Sequence, residues 1–174
     1  MVVHVVYSTP EENISVKQVK SQIKMLNRDY SAKNPDKTAT PTPWKGLIID
    51  SRIRFALAKK DPEGKPATGI TRTKADTALF GTHDEVKSSA TGGADAWPTD
   101  KYLNLWGCAL GGGMLGYAQF PGGPAATDGV VILNTAEHRV RHGRHCGCAV
   151  QPRPHRGPRG RPLAEPQSHL GRLE

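Results

Sequence analysis

The densest run of metal-ligating side chains in the sequence is His138-x3-His142-x2-His145-Cys146-x-Cys148. Imidazole nitrogens and thiolate sulfurs are the ligands zinc prefers, but this spacing matches none of the common structural-zinc frames. A second candidate, Gly111-x-Gly113-x-x-Gly116, reads as a dinucleotide fingerprint on paper. That reading needs a helix to begin at once, so that its N-terminus can hold a pyrophosphate. Tyr117-Ala118-Gln119-Phe120-Pro121-Gly122-Gly123-Pro124 follows instead and cannot form one. The glycines read as a turn leading into an edge strand. His83-Asp84-Glu85 sets an imidazole beside two carboxylates. No nucleophile or second histidine adjoins it, so it reads as a solvated loop. His4, inside an apolar run, reads as a hydrogen-bonded core histidine, and Cys108 as a buried small hydrophobe.

The elements that must position these residues follow from hydropathy. Val2–Tyr7 is a β-branched and aromatic run, the pattern of a strand buried on both faces. Ser15-Val16-Lys17-Gln18 is a capping box, in which the serine hydroxyl and the glutamine side chain satisfy each other's backbone amides. Val16, Val19, Ile23, Leu26 and Tyr30 then fall at helical spacing, predicting an amphipathic helix that ends before Asn34-Pro35. Such a helix suits the crossover between parallel strands. Alternation predicts a strand at Ile53–Leu57, and Asp61-Pro62-Glu63-Gly64 a turn. Residues 63–100 read mostly as a surface excursion, with short strands at Ile70–Thr73 and Ala78–Phe80. Tyr102–Trp106, Leu115–Phe120 and Val130–Leu133 complete the strands.

Composition bounds what the chain can be. Its 174 residues suffice for one domain. No segment approaches the ~20 apolar residues of a membrane-spanning helix, and no signal peptide is expected, because Met1 leads straight into the run read as the first strand. Three cysteines cannot pair into a full disulfide framework. The net charge of +8 is unevenly spread: all lysines lie at or before Lys101, whereas residues 137–174 hold eight of the arginines and five of the seven histidines. That tail has no aromatic residue, isoleucine, lysine or aspartate. Two compositions meet near Ala136, which sets the expected division into a folded unit (1–136) and a tail (137–174) that is disordered.

From Val2 to about Thr135 the sequence resembles the pappalysin family of metzincin zinc endopeptidases. The likeness rests on Val3-His4-Val5-Val6-Tyr7, Leu26-Asn27-Arg28-Asp29-Tyr30, Gly69-Ile70-Thr71-Arg72-Thr73, Ala96-Trp97-Pro98, Tyr102-Leu103-Asn104-Leu105-Trp106, Leu115–Pro121 and Asp128–Ile132, all in order. It implies an α/β fold, the metzincin-like N-terminal subdomain: a mixed, twisted sheet of about five strands with one long covering helix. It also implies an upper-rim edge strand, comprising Met114, Leu115, Gly116, Tyr117, Ala118 and Gln119, to which an extended peptide or protein substrate adds as a further strand. Zinc is the family's metal, held by three histidines of HExxHxxxxxH with the glutamate activating water, and calcium is a further family ligand. Export belongs to the family too. Neither a specific nucleic acid nor a membrane is an expected partner.

The sequence departs from that pattern where the active-site helix should begin, for it contains no HExxH. The genetic code offers a reason. Written as CCA-CGA-GGT-CGG-CCA-CTG, Pro158-Arg159-Gly160-Arg161-Pro162-Leu163 reads one base on as His-Glu-Val-Gly-His, and Ala164–His169 then permits the third histidine. A single frame offset near Ala136 accommodates the whole tail, and out-of-frame GC-rich DNA yields Arg, Pro, Gly, Ala and His. The rivals are a zinc knuckle and a basic nucleic-acid-binding arm. As written, the chain is expected to have no catalytic residues and no metal ligands. Loss of the helix is expected to uncover apolar sheet surface and leave the body marginally stable. A pseudoprotease that binds peptides through the edge strand alone is a further alternative.

Overall fold

The structure is a computed structural model, and it describes residues 1–135. The His/Cys run, the arginine-rich tail and every expectation attached to them, disorder included, lie outside the described residues. Five strands form one sheet: β1 (Val2–Tyr7), β2 (Ile70–Lys74), β3 (Asn104–Cys108), β4 (Gly116–Ala118) and β5 (Val130–Leu133). Their spatial order is β2-β1-β3-β5-β4, parallel throughout except for β4, which runs antiparallel to β5. With the helix α1 (Val16–Tyr30), this is the expected mixed α/β sheet with one long covering helix.

The capping box at α1 forms as anticipated. Gln18 N donates to Ser15 Oγ at 3.3 Å and Ser15 N to Gln18 Oε1 at 2.7 Å. α1 lays Val19 and Ile23 against Val3, Val5 and Leu105, the side chains on one sheet face. Each such side chain, fully buried, contributes roughly 1.5–3 kcal/mol. The opposite face carries Val6, Trp106, Cys108 and Val131. Among the described residues no α-helix covers it; Ala75, Phe80 and Val86, the last in a single 3-10 turn (Glu85–Lys87), pack there instead. The segment 63–100 is mostly the surface excursion expected from its polarity, but within it Ala75, Phe80 and Val86 turn inward and cover this face. Toward the end of β5 this cover thins, and Leu133 is half-buried.

Two expected strands are absent. Ile53–Leu57 forms no strand; Met1 brackets its end, its N donating to Ala56 O and its O accepting from Ala58 N, both at 2.8 Å, while Asn27 of α1 holds its middle. Its Oδ1 accepts from Phe55 N at 2.7 Å and its Nδ2 donates to Phe55 O at 2.8 Å, so the peptide is satisfied by a side-chain amide. Phe55 then packs edge-on against Tyr30, ring centroids 4.9 Å apart. Ala78–Phe80 is reduced to a single bridge between Phe80 and Leu110. β3 begins at Asn104, two residues later than expected, and β4 is shorter than Leu115–Phe120.

Candidate functional site

A row of side chains crosses the sheet from edge to edge. Register places Thr71, His4, Trp106, Val131 and Tyr117 side by side on the face away from α1. His4, 1% exposed, is the polar centre of that row. Its Nε2 lies 3.1 Å from Asn104 Oδ1, which only accepts, so Nε2 carries the proton; Nδ1 then accepts from the Thr71 hydroxyl at 2.8 Å. The imidazole stacks on Trp106 at 5.1 Å. Burial lowers its pKa, against the opposing effects of the hydrogen bond it donates to Asn104 and the charge of Asp95. Asn104 also clamps Trp97 through both backbone groups, at 2.8 and 2.9 Å. The reading of His4 as a satisfied core histidine holds.

The far end of the row is the open edge. Leu133 N donates to Leu115 O at 2.9 Å, and Tyr117 pairs with Val131. Alternate residues of an antiparallel strand turn their backbone groups to opposite sides. Leu115 and Tyr117 thus face β5 with their amides and carbonyls, while Gly116 and Ala118 direct theirs outward. Gly116 is required by close approach, since a Cβ there would lie 2.5 Å from Val131 O. Gln119 anchors the following loop: Nε2 donates to Pro124 O at 3.1 Å and Oε1 accepts from the Thr127 hydroxyl. Met114 packs partly into the core, whereas Leu115 is 70% and Phe120 88% exposed. No charged side chain occurs between Lys101 and Asp128, so the rim is electrically neutral.

Sequence reasoning missed the group beneath this rim. Lys87 has a side chain only 1% exposed, with Nζ 2.8 Å from Asp84 Oδ1 and donating to Thr127 O at 2.6 Å. The ammonium lies 5.6 Å from the Trp106 ring centroid and 5.1 Å from that of Tyr117. The Tyr117 hydroxyl is buried beside the Asp84 carboxylate without a well-aligned hydrogen bond. Burial, reinforced by that carboxylate, raises the phenol pKa. Of His83-Asp84-Glu85, only the histidine is the solvated loop residue expected; its Nδ1 is 3.7 Å from Glu85 Oε1. The only sequence signal for Lys87 is its i,i+3 spacing from Asp84, which is common on exposed turns.

The described residues do not fit a zinc ion. Among them no group of three or more His, Cys, Asp or Glu side chains converges, and both nitrogens of His4 are committed to Thr71 and Asn104. Cys108 is buried as expected, its thiol pushed up to about 12 by desolvation. Gly111-x-Gly113-x-x-Gly116 leads into β4 and not into a helix, which removes the nucleotide reading. A shallow cavity of about 290 Å³ opens at the start of β3 and β5, lined by Thr99, Tyr102, Asn104 and Asp128. Its lining also includes Gly129, whose carbonyl accepts from Gln119 N at 3.4 Å, so the cavity borders the far end of the β4 segment.

Comparison with solved structures bears on this arrangement directly. Mature mirolysin of Tannerella forsythia, solved with a cleaved peptide, superposes with a TM-score of 0.75 at 46% identity, covering 78% of this chain and 52% of that one. The chain is similar to mirolysin. A mirolysin complex with a compound gives the same values, and a promirolysin mutant from Tannerella forsythia matches at 46% identity and TM-score 0.75, covering 78% and 46% of the two chains. Mirolysin is a metzincin-type metalloprotease, so the likeness supports the metzincin superfamily and a metalloprotease N-terminal subdomain. It does not reach the pappalysin subfamily. The chain spans about half the length of the mirolysin structures it matches. No protein-family model and no curated protein matches it.

Proposed function

We propose that residues 1–136 are the incomplete N-terminal catalytic subdomain of a pappalysin-type zinc endopeptidase, and that residues 137–174 are an out-of-frame tail. The function left to this polypeptide is to bind an extended peptide along Met114–Gln119, without hydrolysing it. The observation that carries this reading is the outward-facing backbone of Gly116 and Ala118 on a neutral open edge. Two residues offer two N–H and two C=O groups, which is what strand addition requires. The cleaved peptide held by mirolysin supports a peptide as occupant. Zinc, calcium and export are carried over from the family resemblance alone.

Hydrolysis is withheld by the sequence, which spells no HExxH and leaves no glutamate between helical histidines to activate water. The test is a peptide panel incubated with the purified 174-residue chain, with and without added zinc. Binding without zinc-stimulated cleavage is expected; cleavage that rises with zinc overturns the proposal. Reading the coding DNA in all three frames from codon 130 tests the tail separately, and the absence of His-Glu-x-x-His from the neighbouring frame would contradict it.

A further inference from the structure

We propose that Lys87 is a positioning residue of the peptide-binding edge, a buried cation that fixes β4 and its loop against the sheet. The inference rests on the reading of β4 as that edge and adds the device that shapes it. β4 needs such a device. It is a three-residue strand, paired among the described residues on one side only, and glycine-rich segments flank it at Gly111-Gly112-Gly113 and Gly122-Gly123. Three residues of ladder constrain a flexible strand weakly, because each ordered residue costs roughly 1–2 kcal/mol of backbone entropy.

Lys87 meets the rim at two points that are far apart along the chain. Its ammonium lies over the Tyr117 ring, in the middle of β4, and donates to the Thr127 carbonyl at the end of the β4–β5 loop. On the sheet side it lies over Trp106, which is fully buried in β3. Asp84 supplies the compensating charge, and its φ of 65° puts that residue in the left-handed region, an uncommon conformation for a non-glycine residue. A buried ammonium costs several kcal/mol of desolvation unless paired and hydrogen-bonded. An apolar residue would fill this space without that cost, but only a cation binds a carbonyl, a carboxylate and two aromatic faces together. The carbonyl contact closes the loop. The ring contacts set how far Tyr117 stands from Trp106, and so set the pitch of Gly116 and Ala118 at the edge.

The experiment compares the wild-type chain with Lys87→Met and Asp84→Asn. The readouts are site-resolved amide hydrogen exchange and the affinity for a blocked, uncharged hexapeptide of Ala, Leu and Ser. Asp84→Asn keeps the ammonium and its bond to Thr127 O while removing the counter-charge, so it tests the proposal by a second route, and the β1 amides report in each variant whether the whole fold has loosened. Exchange at Tyr117, Gln119 and Leu133 is expected to quicken at least ~10-fold in either variant, with β1 amides at Val3 and Val5 unchanged. Peptide affinity is expected to fall by a similar factor. Equal acceleration in β1 and β4 would mean that Lys87 supports the fold generally, and overturns the proposal. Unchanged exchange at β4, or unchanged affinity, overturns it as well. If the wild type binds no peptide, the reading of β4 as a binding edge fails, while local exchange still decides whether Lys87 holds the strand.

Discussion

The two edges of the sheet are built in opposite ways. β2 presents Arg72 and Lys74 to solvent, while its remaining residues are half-buried. β4 presents no charge at all, and it is flanked by exposed Leu115 and Phe120. An unpaired strand edge is a template for any other strand, and folded proteins blunt such edges with charged side chains, lysine above all. The β2 edge follows that rule and the β4 edge breaks it. Leaving Gly116 and Ala118 unguarded makes sense where the edge must accept a strand. Among the described residues the same sheet therefore carries charge along one edge and none along the other.

The strongest way to break this contrast is Gly116→Val. The new Cβ would meet Val131 O at 2.5 Å, so β4 must leave β5 and the outward groups lose their alignment. Losing two net hydrogen bonds to a peptide costs about 2 kcal/mol, a ~30-fold weaker affinity by titration calorimetry. Next is Leu115→Lys, which gives β4 the guard that β2 already has. Affinity for an uncharged peptide should drop ~10-fold while the melting temperature holds within the range of an exposed substitution.

A change of pH tests the row that joins the edges. The His4 pKa is lowered by burial, so the unfolded chain takes up a proton near pH 6.5 while the folded chain still resists. Stability is then full above the unfolded pKa and falls as pH drops through it, levelling once the folded site protonates. Thermal melts from pH 7.5 to 5 should slope downward for the wild type and much less for His4→Gln, and exchange should quicken in β2 and β3 together. The smallest effect belongs to the double change Arg72→Thr and Lys74→Thr. Stability should move by less than ~0.5 kcal/mol and peptide affinity should not change, but sedimentation should show concentration-dependent self-association through β2.

What was legible in the sequence was what local chemistry decides. The Ser15–Gln18 box and its apolar stripe fixed α1, and unbroken β-branched runs fixed β1 and β5. Ile53–Leu57 misled because alternation reports which side chains are apolar and not what satisfies the backbone; the partners were the Asn27 amide and the Met1 backbone, both remote in sequence. The cover drawn from within residues 63–100 was hidden for a related reason. Its buried members, Ala75, Phe80, Val86 and Lys87, fall at no helical or strand spacing, so no period announces them. The rim strand Met114–Gln119 came from family likeness, and the structure adds which of its residues face outward. Lys87 was beyond reach, because its burial depends on Tyr117 and Thr127 arriving from later in the chain.

Where a peptide lands on the sheet decides whether β4 is a binding edge. Titrating the ¹⁵N-labelled chain with the blocked Ala/Leu/Ser hexapeptide and following amide resonances tests this directly. Gly116 and Ala118 should move first and furthest and gain protection from exchange, with Ile70–Lys74 undisturbed. Shifts confined to β2, or none at β4 at millimolar peptide, would contradict the open-edge account.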